Sequence, residues 1–151
     1  NPGDEEVRVF IDTSSLAKRY VEEEGSDALK EFVSKSVSEV VISVLAFPEF
    51  ASAVSRKIEE GEISPNDGST AIEEFETDWD YVFEKIILSE EISFNAAKLC
   101  LAHRLRGADA IQVASALSSE VKVFVCSNKA LLQVALKCGL KALNPEENGI
   151  P

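Results

Sequence analysis

Four side chains, Asp12, Glu49, Asp109 and Asn128, are set apart from the rest by where they fall in the chain. Asp12 directly follows the apolar run Val7-Arg8-Val9-Phe10-Ile11 and precedes a helical pattern. Glu49 falls in the first turn of a helix after Pro48, and Asp109 opens a small-residue helix after Gly107. Asn128 follows a further β-branched run, within Cys126-Ser127-Asn128-Lys129. Clustered carboxylates repel one another unless a cation lies between them. Hard oxygen ligands without His or Cys select Mg2+ or Mn2+ over zinc. Such an ion can orient an attacking water and stabilise a displaced oxygen on a phosphodiester.

The elements that would have to position these residues are legible from periodicity. Apolar runs over 7–11, 40–43, 82–88 and 121–125 read as strands, with 141–143 as a short fifth. Helical patterns cover 14–20, 26–36, 48–60, 64–79, 92–106, 108–118 and 129–138. Ser26 and Ser64 suit helix starts, and Gly139 suits a C-terminal stop. This alternation predicts one α/β domain of three layers, a mostly parallel sheet of four to five strands with helices on both faces. In such a sheet ligands bind outside the carboxyl ends of the strands. Asp12 and Asn128 leave strands at that edge, and Glu49 and Asp109 open helices that begin there. Phe47, Phe50, Val54 and Ile58 form the expected buried stripe of the Glu49 helix. Each position also has a plainer explanation. Asp12 and Asn128 could cap the helices that follow them, and Glu49 and Asp109 could complement helix dipoles.

Composition narrows the class. The 151 residues, 45% hydrophobic and 28% charged, suit a single soluble globular domain. Residues 1–6 and 144–151 read as frayed ends, Asn1-Pro2-Gly3 as a cloning remnant. No apolar run reaches the roughly 18–20 residues that cross a bilayer, and no basic leader precedes a short apolar block. A cytoplasmic protein with no membrane partner is expected. Cys100, Cys126 and Cys138 are odd in number and unpaired in spacing, which suits reduced core thiols and, with His103 the single histidine, excludes a zinc motif. The net charge of −12 argues against broad nucleic-acid binding. About half the basic residues, however, lie near the four positions in sequence: Arg8, Lys18, Arg19, Arg56, Lys57, Arg104, Arg106 and Lys129. A basic rim around an acidic pocket would admit a phosphate backbone. The alternative is that these are ordinary solvated side chains.

The chain resembles the PIN-domain ribonucleases, most closely the VapC-like toxins of prokaryotic toxin–antitoxin pairs. The resemblance rests on Val9-Phe10-Ile11-Asp12-Thr13-Ser14-Ser15-Leu16, on Ile42-Ser43-Val44 with Glu49, and on Leu105-Arg106-Gly107-Ala108-Asp109-Ala110 with Ala114-Ser115-Ala116-Leu117. It closes with Val123-Phe124-Val125-Cys126-Ser127-Asn128, Leu131-Leu132 and Gly139-Leu140. It implies Mg2+- or Mn2+-dependent cleavage of RNA, an antitoxin partner and a homodimer. Asp12, Glu49 and Asp109 match the family's three leading acids, Asp12 and Asp109 its usual metal-binding pair. Ser14, Arg104, Arg106 and Lys129 are the expected substrate contacts. The family often carries a fourth acid where this chain has Asn128. An amide oxygen can ligate a metal but carries no formal charge, so cation affinity should be weaker.

Asp12 and Asp109 are therefore expected to hold the ion, with Glu49 completing the shell or orienting the water and Asn128 auxiliary. Two rivals stand beside this reading. One is a PIN-like RNA-binding or regulatory module impaired at Asn128. The other is a phosphotransfer domain, but the aspartates it needs are replaced by Ser14 and by Ser89-Glu90. A dimer seam could use the small residues 108–116, which tight packing within the chain would explain equally well.

Overall fold

The computed structural model describes residues 7–147. The five strands are β1 (Arg8–Ile11), β2 (Glu39–Ser43), β3 (Phe83–Ile86), β4 (Val123–Val125) and β5 (Lys141–Leu143). All pair in parallel, in the order β3-β2-β1-β4-β5. Among the described residues seven helices pack around the sheet: α1 (Thr13–Leu16), α2 (Ser26–Ser36), α3 (Ala46–Glu59), α4 (Pro65–Tyr81), α5 (Glu90–His103), α6 (Gly107–Ser118) and α7 (Lys129–Lys137). The three-layer α/β architecture expected from the alternation is present. Among the described residues no helix is long and apolar enough to cross a membrane.

Strand β1 shows why the chain must be covered on both faces. Val9 and Ile11 join one core with Leu16, Phe50 and Phe75, whereas Phe10, between them, joins another with Val113, Phe124 and Leu131. Successive strand side chains point to opposite faces, so a strand apolar over Val9, Phe10 and Ile11 in succession needs two cores. Helices α1 to α4 close the first face, α6 and α7 the second. Helix α5 packs outside α6, joining Ile92 and Ala96 to Ala110 and Ala114.

Several expected boundaries shift for physical reasons. Helix α1 is one turn and passes into a 3-10 turn over Ala17–Arg19. Strand β3 stops at Ile86, and Ile87 and Leu88 emerge into solvent. Helix α5 begins earlier, where Ser89 Oγ accepts from Ile92 N at 3.1 Å, and ends at His103 because Arg104 takes a left-handed conformation. Gly25, with φ +88°, rather than Ser26 occupies the cap position of α2. Gly139 does terminate α7, at φ +93°. Residues 144–147, expected to fray, pack instead, with Asn144 buried and Glu146 paired to Lys18. Residues 1–6 and 148–151 lie outside the described residues.

Candidate active site

The sheet order reverses at β1. The chain builds outward through β2 and β3, then crosses to β4 and β5, which leaves a crevice between the carboxyl ends of β1 and β4. Asp12 is the first residue beyond β1, and its amide donates to Val125 O at 3.0 Å, which holds it against β4. It caps α1, as the plain reading allowed, with Oδ1 accepting from Ser15 N at 3.1 Å. Its other oxygen, Oδ2, accepts from Ser14 Oγ at 2.9 Å and from the Cys126 thiol at 3.5 Å. Capping alone does not explain its environment. Asp12 is only 6% exposed, and among the described residues no ion pair reaches it. Burial raises its pKa to about 6, against the lowering effect of the surrounding hydrogen bonds.

Asp109, half-buried in the first turn of α6, lies near enough to the Cys126 thiol to act on it electrostatically. The Cys126 thiol records this convergence. Burial pushes its pKa up, and the charges of both Asp12 and Asp109 push it further the same way. The thiol is thus neutral rather than a reactive nucleophile.

Glu49 is held by a network that residue type alone did not disclose. Its Oε1 accepts from Thr13 Oγ1 at 2.9 Å and from Gln112 Nε2 at 2.8 Å. Gln112 Nε2 also reaches Thr13 Oγ1 at 3.2 Å. Gln112 lies three residues beyond Asp109, on the same face of α6, and is only 3% exposed. Its own Oε1 is buried without a hydrogen-bond partner. Thr13 and Gln112 went unremarked in the sequence because neither is ionisable. The one available signal was a glutamine among the alanines of an otherwise apolar helix face.

Asn128 takes a different place from the one expected of a ligand. It is exposed, and its Oδ1 accepts from Ala130 N at 3.0 Å and Leu131 N at 3.2 Å. The amide oxygen that would face an ion is committed to the start of α7. From the same connection Ser127 turns toward α1, its Oγ 2.8 Å from Ser15 Oγ.

The expected basic rim is reduced. Arg8 pairs with Glu39 and Glu84 at the opposite end of β1, and Arg19 with Asp78. Lys18 pairs with Glu23 and Glu146, and Lys57 with Glu23 and Glu62. Arg56 bonds Ser52 on its own helix. Arg104 and Arg106, at the end of α5 and the start of α6, stay exposed, as does Lys129 at the start of α7. Ser14 is exposed beside Asp12. An apolar cleft of about 530 Å³ lies elsewhere, between α3 and α4, and contains none of these groups.

The donor set tests what the crevice could hold. Among the described residues no three His, Cys, Asp or Glu side chains gather into a ready-made metal cage. Mg2+ does not require one, since it is commonly bound through one or two carboxylates, water and substrate phosphate. A buried carboxylate without an ion pair among the described residues, with a second carboxylate acting electrostatically on the same thiol, fits that kind of ion.

Comparison with known proteins agrees with the geometry. Residues 9–137 match the PIN domain. The ribonuclease VapC45 of Mycobacterium tuberculosis is 29% identical over 110 residues, which cover 73% of this chain and 75% of that protein. The structure of VapC20 from M. tuberculosis, described as a sarcin-ricin loop cleaving toxin, superposes with a TM-score of 0.68 at 13% identity, covering 87% of this chain and 95% of that one. A toxin–antitoxin complex from Klebsiella pneumoniae gives 0.65 at 16% identity, over 91% and 97% of the two chains. The fold, the crevice at its switch point and the match over most of its length agree: this chain belongs to the PIN domain family.

Proposed function

We propose that the protein is a divalent-metal-dependent endoribonuclease, the toxin of a toxin–antitoxin pair. The observation that carries this reading is Asp12, buried at the switch point with a raised pKa and, among the described residues, no ion pair to neutralise it. Asp12 and Asp109 would hold the ion. Bound there, Mg2+ or Mn2+ supplies positive charge that orients an attacking water and offsets charge developing on the phosphodiester. Glu49, fixed by Thr13 and Gln112, accepts a hydrogen bond from that water and aims its oxygen at phosphorus. The water oxygen bonds to phosphorus and releases one proton to solvent as one P–O ester bond breaks, and the departing oxygen takes up a proton in return. Arg104, Arg106 and Lys129 bind the backbone on either side, and Ser14 donates to a phosphate oxygen. Asn128 acts through its cap, holding the Ser127 connection in place.

An antitoxin partner is supported by relatives solved as toxin–antitoxin complexes. Three free cysteines suit a reducing cytoplasm. A homodimer belongs to the same reading, but its seam cannot be the small-residue face of α6, because Ala110, Ala114, Ser115 and Ala116 are buried within the chain. We place it on the outer face of α5, where Phe94 and Leu101 are 66% and 87% exposed.

One observation favours a second reading, an impaired module that binds RNA without cutting it: the oxygen of Asn128 is already spent on its helix. RNA cleavage by the purified protein separates the two. Cleavage that EDTA stops, Mn2+ restores and Asp12→Asn abolishes supports the nuclease. Undiminished cleavage by Asp12→Asn removes Asp12 from the assignment, and failure to bind Mn2+ at neutral pH favours the impaired module.

A further inference from the structure

The hydrogen-bond donors around Asp12 do not fall evenly on its two oxygens. Oδ1 accepts from the Ser15 amide at 3.1 Å and is turned into the buried start of α1. Oδ2 carries two donors, the Ser14 hydroxyl at 2.9 Å and the Cys126 thiol at 3.5 Å. A carboxylate oxygen has about two lone pairs, so these two donors fill Oδ2. Ser14 is exposed, whereas Cys126 is fully buried. The side of Asp12 that opens to solvent is therefore the side capped by the Ser14 hydroxyl.

Each donor has a single proton, and the two differ in where else that proton can go. The Cys126 thiol also stands 3.5 Å from Asn128 O, and its sulfur accepts from Asn128 N at 3.3 Å. It can leave Asp12 without losing a partner in the protein. For the Ser14 hydroxyl, Asp12 is the acceptor present among the described residues. A cation drawn to Oδ2 therefore competes with the Ser14 proton for one lone pair. An RNA phosphate relieves that competition, because a charged oxygen accepts a hydroxyl proton more strongly than water does.

We propose that Ser14 couples metal to substrate: its hydroxyl covers Asp12 in the free protein and is handed to an RNA phosphate when a cation takes its place. The proposal rests on the metal-nuclease reading above. To the phosphate contact named there it adds a second duty for the same proton, guarding Asp12 until substrate arrives. By linkage, the phosphate tightens the ion by the same factor as the ion tightens the phosphate. Loading of the ion is thereby favoured on RNA and disfavoured in its absence.

The test is Mn2+ binding by calorimetry on the full chain, alone and with a single-stranded 2′-O-methyl RNA oligomer as a cleavage-resistant phosphodiester probe. Melting temperature is measured alongside. The oligomer should tighten Mn2+ binding in the unaltered protein. Ser14→Ala, which removes the competing proton, should bind Mn2+ alone about fivefold more tightly, the effect of roughly one hydrogen bond. In the same variant the tightening by the oligomer should shrink by about the same factor. Ser14→Thr keeps a hydroxyl and should restore both values. A mere brace for Asp12 predicts the opposite sign, weaker Mn2+ binding with a lower melting temperature in Ser14→Ala, and that result would overturn the proposal. Unchanged Mn2+ affinity in Ser14→Ala, or an undiminished oligomer effect, would overturn it as well. So would an oligomer that leaves Mn2+ binding by the unaltered protein unchanged. Absence of Mn2+ binding in the unaltered protein would remove the nuclease reading and this inference together.

Discussion

Gln112 Nε2 donates to Glu49 Oε1 at 2.8 Å, a bond that joins α6 to α3 directly beneath the crevice. It fixes the one acid of the three that does not lie beside Cys126. Gln112→Ala should lower cleavage about tenfold while leaving Mn2+ affinity within about twofold, since losing a positioned group slows the reaction more than it weakens binding. Loss of one of the two hydrogen bonds to the half-buried Glu49 should also cost about 1 kcal/mol, read by urea denaturation. Equal losses of Mn2+ affinity and rate would mean that Glu49 is a ligand rather than an orienting group.

The buried Asp12 makes stability depend on pH in a definite direction. Its pKa rises from an ordinary 3.8 to about 6 on folding. The folded state therefore binds the extra proton, and stability is lost as pH climbs through that interval. The difference corresponds to roughly 3 kcal/mol at neutral pH. Asp12→Asn should match the unaltered protein below pH 4 and exceed it by up to that amount above pH 6. Mn2+ should then stabilise the unaltered protein and not the variant. Equal pH dependence in both would mean that burial does not set the Asp12 proton affinity.

Asn128 should show its role in stability. Asn128→Ala removes two hydrogen bonds at the start of α7 and should cost about 1 kcal/mol. Mn2+ affinity should change by less than about twofold, since hydrogen bonds to Ala130 and Leu131 already occupy the amide oxygen. A large loss of Mn2+ binding without a fall in melting temperature would restore it as a ligand.

RNA affinity should respond to Arg104 and Arg106. Replacing either with Ala should lower the slope of log affinity against log salt by about 0.7, one single-stranded phosphate contact each. Arg8→Ala should leave that slope unchanged, because Arg8 is paired at the far end of β1. Filter binding to a catalytically silent Asp12→Asn background reads this without cleavage.

Self-association is tested at α5. Leu101→Glu places a charge on a face with Phe94 and should shift the chain toward monomer in light scattering. An unchanged mass would put the seam elsewhere.

What could be read in advance follows the chemistry of the residues. The strands were legible because Val, Ile and Phe cluster in short runs, and the acids because each follows a strand or opens a helix. The partners of Glu49 were not, since Thr13 and Gln112 lie 36 and 63 residues from it in sequence. The basic rim was over-read for the same reason. Whether Arg19 faces RNA or Asp78 depends on a helix residue 59 positions away, which only the fold supplies. Asn128 shows the limit of residue type, because one oxygen serves a cap or an ion equally well until its surroundings are known.

The two-sided packing of β1 has a consequence for inheritance. Val9 pairs across to Val40 and Val123, and Phe10 to Val41 and Phe124. A slip of one residue would move Phe10 into the core of Phe50 and carry Asp12 about 3.3 Å along the strand. Such a chain would lose its interior before it lost its aim. Substitutions that survive because the interior still fits therefore arrive with the acid already on target, and lineages can drift far in surface sequence without recalibrating it.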